Sequence, residues 1–503
     1  DWDTEIKRAQ ARGLADYPVF TRKAATDVCY LACAKQLLDA RERIFPQFAT
    51  HNALTVATIL EMAGDDRSGF EFQRLHGMGE ALYEAVQKDS APVACRIYAP
   101  VGGYRDLLAY LVRRLLENGA NSSFVTIAGD NKIPVSDLLK RPALMLQLDK
   151  RNARHSQINL PSEIYPDRRN SAGVEFGHRS ELDALLKGMK QEGSAVAAAP
   201  LVPGYKPSGE KTAVLSPADP SDQVGAVRFA DPQLVEQAIK TARKGFATWS
   251  RLPAEKRAVA LDKAADALEA SRDRMMNLLA REAGKTLDDG IAEIREAVDF
   301  CRYYANQSRR QFGKPTVMPG PTGEENRYGW RGRGVFACIS PWNFPLAIFT
   351  GQVTAALAAG NAVIAKPAEQ TPLIAFEMVR ILHEAGVPED VLIYLPGAGD
   401  VGAALTAHPE IDGVAFTGST DTARAINRGL AAKNGPIVPL IAETGGLNAM
   451  IVDATALPEQ VADDVVMSAF RSAGQRCSAL RILFLQDDVA DSMIAMIEGA
   501  ARE

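Results

Sequence analysis

The chain has 503 residues and is 47% hydrophobic, more than one ordinary core holds, since domains cluster near ~100 to 200 residues; two or three domains are expected. A formal charge of -5 supplies no basic stripe for nucleic acid, and six cysteines without C-x-x-C or His/Cys clusters exclude a disulfide framework and a metal site. No apolar run approaches the ~18 to 20 residues that span a bilayer, and no signal pattern opens the chain, so it reads as cytoplasmic, at most peripheral to a membrane.

Residues 17–125 repeat a short apolar strand, a turn and an amphipathic helix, as β/α units do. YPVFT leads to a helix over 25–38, FPQFAT to one over 54–62, FEFQRL to one over 80–86, and ACRIYA to one over 107–117. Four such units make half of a (β/α)8 barrel, and because a parallel barrel must close, the missing half is expected before Asp1. The unit ends carry Thr21, Arg22 and Lys23, then Thr50, His51 and Asn52, then His76, then Tyr98. Tyr110, Arg113, Arg114 and Glu117 share one face of the last helix; spacing alone favours a solvated face with a Glu117–Arg113 pair, although twin arginines also clamp carboxylates.

Residues 126–213 are rich in Asp, Arg, Asn, Ser and Pro, with short helical pieces and the small-residue run SAVAAAP, and read as a linker. Helices expected over 231–249 and 253–281 then lead into strands VFACIS, AVIAKP, IYLPG and VAFTG alternating with helices, a doubly wound Rossmann-like sheet. A first domain over 1–125, a nucleotide-binding domain over 214–445 and the start of a further domain over 446–503 follow from this pattern.

Asn343 and Lys366 fall at carboxyl ends of strands, where open α/β sheets bind ligands. Gly418 and Ser419 open a helix that offers N–H groups to a phosphate, although an ordinary capped helix reads the same way. Glu443 follows an apolar strand and precedes two glycines, where backbone approaches a ligand closely. Cys477, beside Arg476 and among small residues, sits where a thiolate is favoured. Each residue alone has a plainer reading as turn, cap or inert thiol.

PWNFP, KPAEQTP, FTGST, ETGGLN and GQRCS, in that order, resemble the aldehyde dehydrogenases from about Val214 onward. The resemblance implies that Cys477 attacks an aldehyde, that Asn343 helps hold the oxyanion, and that Glu443 is general base for thioester hydrolysis. It places Ser340, Trp342, Lys366, Glu369, Gly418 and Ser419 on NAD, with Glu369 favouring NAD over NADP. The likeness breaks off soon after Cys477, so the sequence is read as an internal portion of a longer protein. WDTEIKRAQ, YPVFTRKAATD, FATHNA, FQRLHGMGE and YLVRRLLENGA resemble the second half of the FAD-dependent proline dehydrogenase barrel, and the tandem resembles the bacterial proline utilization A family. That family implies FAD along Trp2, Thr21, Lys23, Thr50, His51 and Asn52, and proline held by Arg113 and Arg114 with Leu75, Tyr98 and Tyr110 around its ring. Related pyrroline-5-carboxylate dehydrogenases imply Glu296, Phe344 and Ser478 on glutamate semialdehyde. A quinone or other electron acceptor and a homo-oligomer are expected. Competing readings are a single-function aldehyde dehydrogenase on a scaffolding barrel, and a redox-controlled repressor with enzymatic domains.

Overall fold

The structure, a computed structural model, describes residues 2–88, 93–119, 127, 132–147 and 154–502. It divides into two units, Asp1–Ala9 with Asp16–Leu160 and Gln10–Ala15 with Pro161–Glu503.

In the first unit β1 (Gln47–Ala49), β2 (Glu71–Leu75) and β3 (Cys95–Tyr98) pair in parallel in that order. Helices Ala53–Ala63 and Glu80–Gln87 are the crossovers, with Lys23–Asp39 before β1 and Tyr104–Gly119 after β3. These are the expected β/α units, with one exception. Residues 17–21 form no strand: Pro18 has no N–H for a ladder, and the Phe20 carbonyl accepts from the Trp2 indole at 2.8 Å. Phe48, Phe70, Phe72 and Tyr83 pack edge-on or tilted around Val56 and Ile59 as the core. Buried Glu71 ties the three strands together. It pairs bidentately with Arg96 of β3 at 2.7 and 2.8 Å and accepts from Gln47 of β1 at 2.9 Å, which repays the desolvation of its charge.

The second unit begins inside the segment read as linker. Residues from Pro161 onward include helix Arg179–Gln191 and β4 (Val196–Ala198), and Val174, Leu185, Met189 and Val196 join the second unit's core. With β5 (Thr212–Leu215) and β6 (Gln223–Val227), β4 forms a sheet of order β4-β6-β5. Helix Leu234–Trp249 is as expected. The long helix expected next breaks at Ser271 into Ala254–Ala270 and Arg272–Glu282.

After helix Leu287–Phe312 and the hairpin of β7 (Thr316–Met318) and β8 (Asn326–Tyr328), the main sheet is laid down. It comprises β9 (Val335–Ile339), β10 (Ala362–Lys366), β11 (Leu392–Tyr394), β12 (Gly413–Thr417) and β13 (Leu440–Glu443). All pairs are parallel, in the order β11-β10-β9-β12-β13. Strand β10 is buried along its whole length, so both faces need cover; helices Leu234–Trp249 and Ala347–Ala358 both pack on β9 and β10. Ala347–Ala358 is apolar nearly all round, the pattern of a helix sealed inside a domain. A parallel pair, β14 (Asn448–Val452) and β15 (Leu480–Leu485), completes the described strands.

Candidate active sites

Strand order places a switch point at β9: the chain leaves it toward β10 and β11 on one side and toward β12 and β13 on the other. A crevice therefore opens beyond the carboxyl ends, where the connecting helices diverge. Every candidate of the nucleotide and thiol sets sits there. Ser340, Trp342 and Asn343 follow β9, Lys366 ends β10 with Glu369 beyond it, Gly418 and Ser419 follow β12, and Glu443 ends β13. Cys477 comes from the loop before β15. All nine line one cavity of about 980 Å³.

Burial sorts the second unit's three cysteines. Cys301 and Cys338 are buried, which pushes both thiols up to about 12, whereas Cys477 is exposed and lines the cavity. The buried Lys366 ammonium is lowered by desolvation, against the pull of Glu369 and Asp400; it donates to the Pro367 carbonyl at 3.0 Å and stands 4.0 Å from Glu369. Ser340 Oγ is buried without a hydrogen-bond partner, a polar atom that a ligand in the cavity would satisfy. The Asn343 carboxamide donates to the Gln475 carbonyl at 2.8 Å, which fixes it against the thiol loop and leaves its second N–H uncommitted by that bond. Ser419 caps helix Thr420–Ala431 through the Thr422 N–H at 3.2 Å, and the Gly418 N–H goes to the Glu443 carbonyl at 3.1 Å. The plainer reading of Ser419 as a cap therefore holds alongside its place in the cavity wall.

Glu296, Phe344 and Ser478 are not among the residues lining this cavity. Arg476, which does line it, lies 5.6 Å from the Phe344 ring and opposes the burial that raises Glu296. Sequence reasoning missed the frame that holds the thiol loop. Arg471 and Arg476 both reach buried Asp289 of helix Leu287–Phe312, at 2.9 and 2.8 Å. Between the two arginines, Ser472 (φ 56), Ala473 (φ 54) and Gly474 (φ 66) are left-handed. Each non-glycine residue in that region costs roughly 1–2 kcal/mol, so the turn persists because both its ends are pinned. An Asp in a helix and two arginines in a loop look solvated in a sequence, and no spacing signals their meeting.

In the first unit five of the candidates lie at the carboxyl ends of parallel strands. Thr50, His51 and Asn52 follow β1, and Leu75 and Tyr98 are register partners ending β2 and β3. His51 Nε2 lies 3.4 Å from the Leu75 N–H. Some candidates serve the fold as well: Asn52 caps helix Ala53–Ala63 through Leu54 and Thr55, Thr21 accepts from the His155 N–H at 2.9 Å, and Lys23 pairs with Asp27. Arg114 lies over the Tyr110 ring at 5.4 Å, and Arg113 is exposed. The Glu117 side chain lies outside the described residues.

The first turn of helix Pro372–Glu384, which follows the loop carrying Glu369, is held by Glu282, which is fully buried and accepts the Leu373 and Ile374 N–H groups at 2.6 and 2.9 Å. Burial outweighs those donors and raises its carboxyl to about 8 from 4.5. The folded state thus binds the proton more tightly than the unfolded one, so this stability is complete below the unfolded value and is lost as pH rises through the folded value. Glu282→Gln has no such titration. Its melting temperature is expected to gain on the parent's as pH rises from about 5 to 9; parallel melting curves across that range would contradict the assignment.

The doubly wound sheet thus opens a crevice at its switch point, with the exposed thiol of Cys477 in its wall. The chain belongs to the aldehyde dehydrogenase family, whose model matches residues 205–503, and the proline dehydrogenase model matches residues 1–127. It is similar to the bifunctional protein PutA of Escherichia coli (strain K12), 50% identical over 522 residues covering 100% of this chain and 38% of that protein. A variant of proline utilization A from Bradyrhizobium japonicum aligns at TM-score 0.89 and 62% identity, over 100% of this chain and 48% of that one. A Thermus 1-pyrroline-5-carboxylate dehydrogenase with bound NAD aligns at TM-score 0.64 and 33% identity, over 66% of each chain. The chain therefore spans less than half the length of these PutA relatives. Among the described residues, no helix is long and apolar enough to cross a membrane.

Proposed function

We propose that the protein oxidises L-proline to L-glutamate in two steps, an FAD-dependent proline dehydrogenase step in the first unit and an NAD-dependent glutamate semialdehyde dehydrogenase step in the second. The observation that carries the reading is the gathering of Cys477, Asn343, Glu443 and the nucleotide candidates in one cavity at the switch point. The tandem is chemically coherent, because the cyclic imine formed from proline hydrolyses to an aldehyde that the second site takes as substrate.

In the second site the Cys477 thiolate attacks the aldehyde carbon, forming a C–S bond and a thiohemiacetal oxyanion. Asn343 turns its second amide N–H toward that oxygen, the first being held by the Gln475 carbonyl of the thiol loop. Ser340, Trp342, Lys366, Glu369, Gly418 and Ser419 would hold NAD, which would supply the hydride acceptor. Glu443 then takes a proton from the water that cleaves the thioester, releasing the acid and restoring the thiol. Glu296, Phe344 and Ser478 bind the rest of the semialdehyde. In the first site Arg113 and Arg114 hold the proline carboxylate, with Leu75, Tyr98 and Tyr110 about the ring. FAD would supply the oxidant there, with Thr21, Lys23, Thr50, His51 and Asn52 offering polar groups to its phosphates and ribityl hydroxyls and the Trp2 ring, whose N–H goes to the Phe20 carbonyl, lying along it.

Glu369 tests the nucleotide half of the reading. A carboxylate there accepts from a ribose 2′-hydroxyl and repels a 2′-phosphate. In the full-length protein Glu369→Ala is expected to raise the KM for NAD about tenfold, the effect of one lost charge-assisted hydrogen bond, and to narrow the preference over NADP. An unchanged NAD to NADP ratio of kcat/KM would remove Glu369 from the ribose site.

A further inference from the structure

Helix Arg272–Glu282 is followed by a turn at Gly284, whose φ of +65° suits glycine, and the next residue carries a charge inward. The Lys285 side chain is only 7% exposed, although lysine is seldom buried unless paired. Its ammonium lies 3.6 Å from Glu293, donates to the Asn343 backbone carbonyl, sits 4.4 Å from the centre of the Phe344 ring, and reaches Ser472 Oγ at 3.4 Å. Glu293 in turn accepts the N–H groups of Leu346 and Ala347 at 2.8 and 3.2 Å. The pair thus grips the Asn343 turn at both of its ends. Ser472 is the first of the left-handed residues in the loop that leads to Cys477.

A buried ion pair often does no more than fill a core. This one departs from that pattern in where its contacts go: the ammonium touches the segment that bears the carboxamide and the segment that leads to the thiol. We infer that Lys285 is a positioning residue of the aldehyde-oxidising site, its ammonium fixing the Asn343 turn against the loop that carries Cys477. The inference rests on the thiohemiacetal reading above. Lys285 touches neither the thiol nor the oxyanion in this scheme; it acts through Asn343, whose amide must meet the developing charge to within a fraction of an ångström.

The test is made in the full-length protein with glutamate semialdehyde and NAD. Lys285→Met is expected to lower kcat by about ten- to hundredfold, comparable with a mis-set oxyanion donor, while the KM for NAD stays within about twofold. A residue that acts through Asn343 has nothing further to lose once that amide is gone. Lys285→Met added to Asn343→Ala should therefore cost less than about threefold more, whereas a merely structural role would multiply the two losses. Lys285→Arg keeps the charge beside Glu293 and guards against a variant that does not fold; its different donor geometry should give the same pattern on a smaller scale. Unchanged kcat in a folded Lys285 variant, or multiplicative losses in the double variant, would overturn the inference. Failure of the underlying reading shows differently, as NADH formation that survives Cys477→Ala whatever stands at position 285.

Discussion

Replacing Cys477 with alanine is expected to stop NADH formation from glutamate semialdehyde while proline continues to bleach the flavin. Of the residues lining the cavity, Cys477 is the thiol; the buried Cys301 and Cys338 are held protonated well above neutral pH. Without that thiol no thiohemiacetal forms, and the loss should be at least about a thousandfold, as for other deleted nucleophiles. The first site draws on residues of the other unit, so flavin reduction should keep near its normal rate and semialdehyde should accumulate. The measurement follows flavin absorbance, NADH and trapped semialdehyde separately after proline, an artificial electron acceptor and NAD are added. Persistent NADH production would acquit Cys477, and loss of both signals would mean that the two chemistries share more than a chain.

Arg113→Met or Arg114→Met should do the converse. Each removes a charge-assisted contact to the proline carboxylate, worth roughly 1.5 to 3 kcal/mol, so the KM for proline should rise about ten- to hundredfold. Oxidation of added semialdehyde should not change. Arg114 lies over the Tyr110 ring, within cation–π reach, and Arg113 is exposed on the same helix. Steady-state kinetics on each substrate separates the outcomes: proline kinetics unmoved by either substitution would return both arginines to a solvated helix face.

The second unit's sheet was legible because buried parallel strands read as short apolar runs that stop at Gly, Pro or a polar residue, as β10 does at Lys366. The same punctuation located the site, since residues that end such strands lie together on the carboxyl edge whatever their distance in the chain. The strand read at 17–21 failed because YPVFT has the composition of a strand but carries a proline and lends the Phe20 carbonyl to Trp2. Helix Arg179–Gln191 reads in the sequence only as one of the linker's short helical pieces, because Leu185 and Met189 are its only buried residues, too few to mark it as part of a domain. Lys285, Glu293 and Asp289 were illegible for a different reason. Charged residues in a turn and on a helix are solvated by default, and only tertiary packing buries these beside the thiol loop.

The central claim, that one protein carries proline's electrons to two acceptors at two sites, is tested most directly by stoichiometry. The full-length protein is given proline, an artificial electron acceptor and NAD, and reduced acceptor, NADH and glutamate are counted together. One NADH and one glutamate for every two-electron reduction of the acceptor is the predicted result. A protein without flavin absorbance that forms NADH only from added semialdehyde would contradict the account and leave the first unit a scaffold.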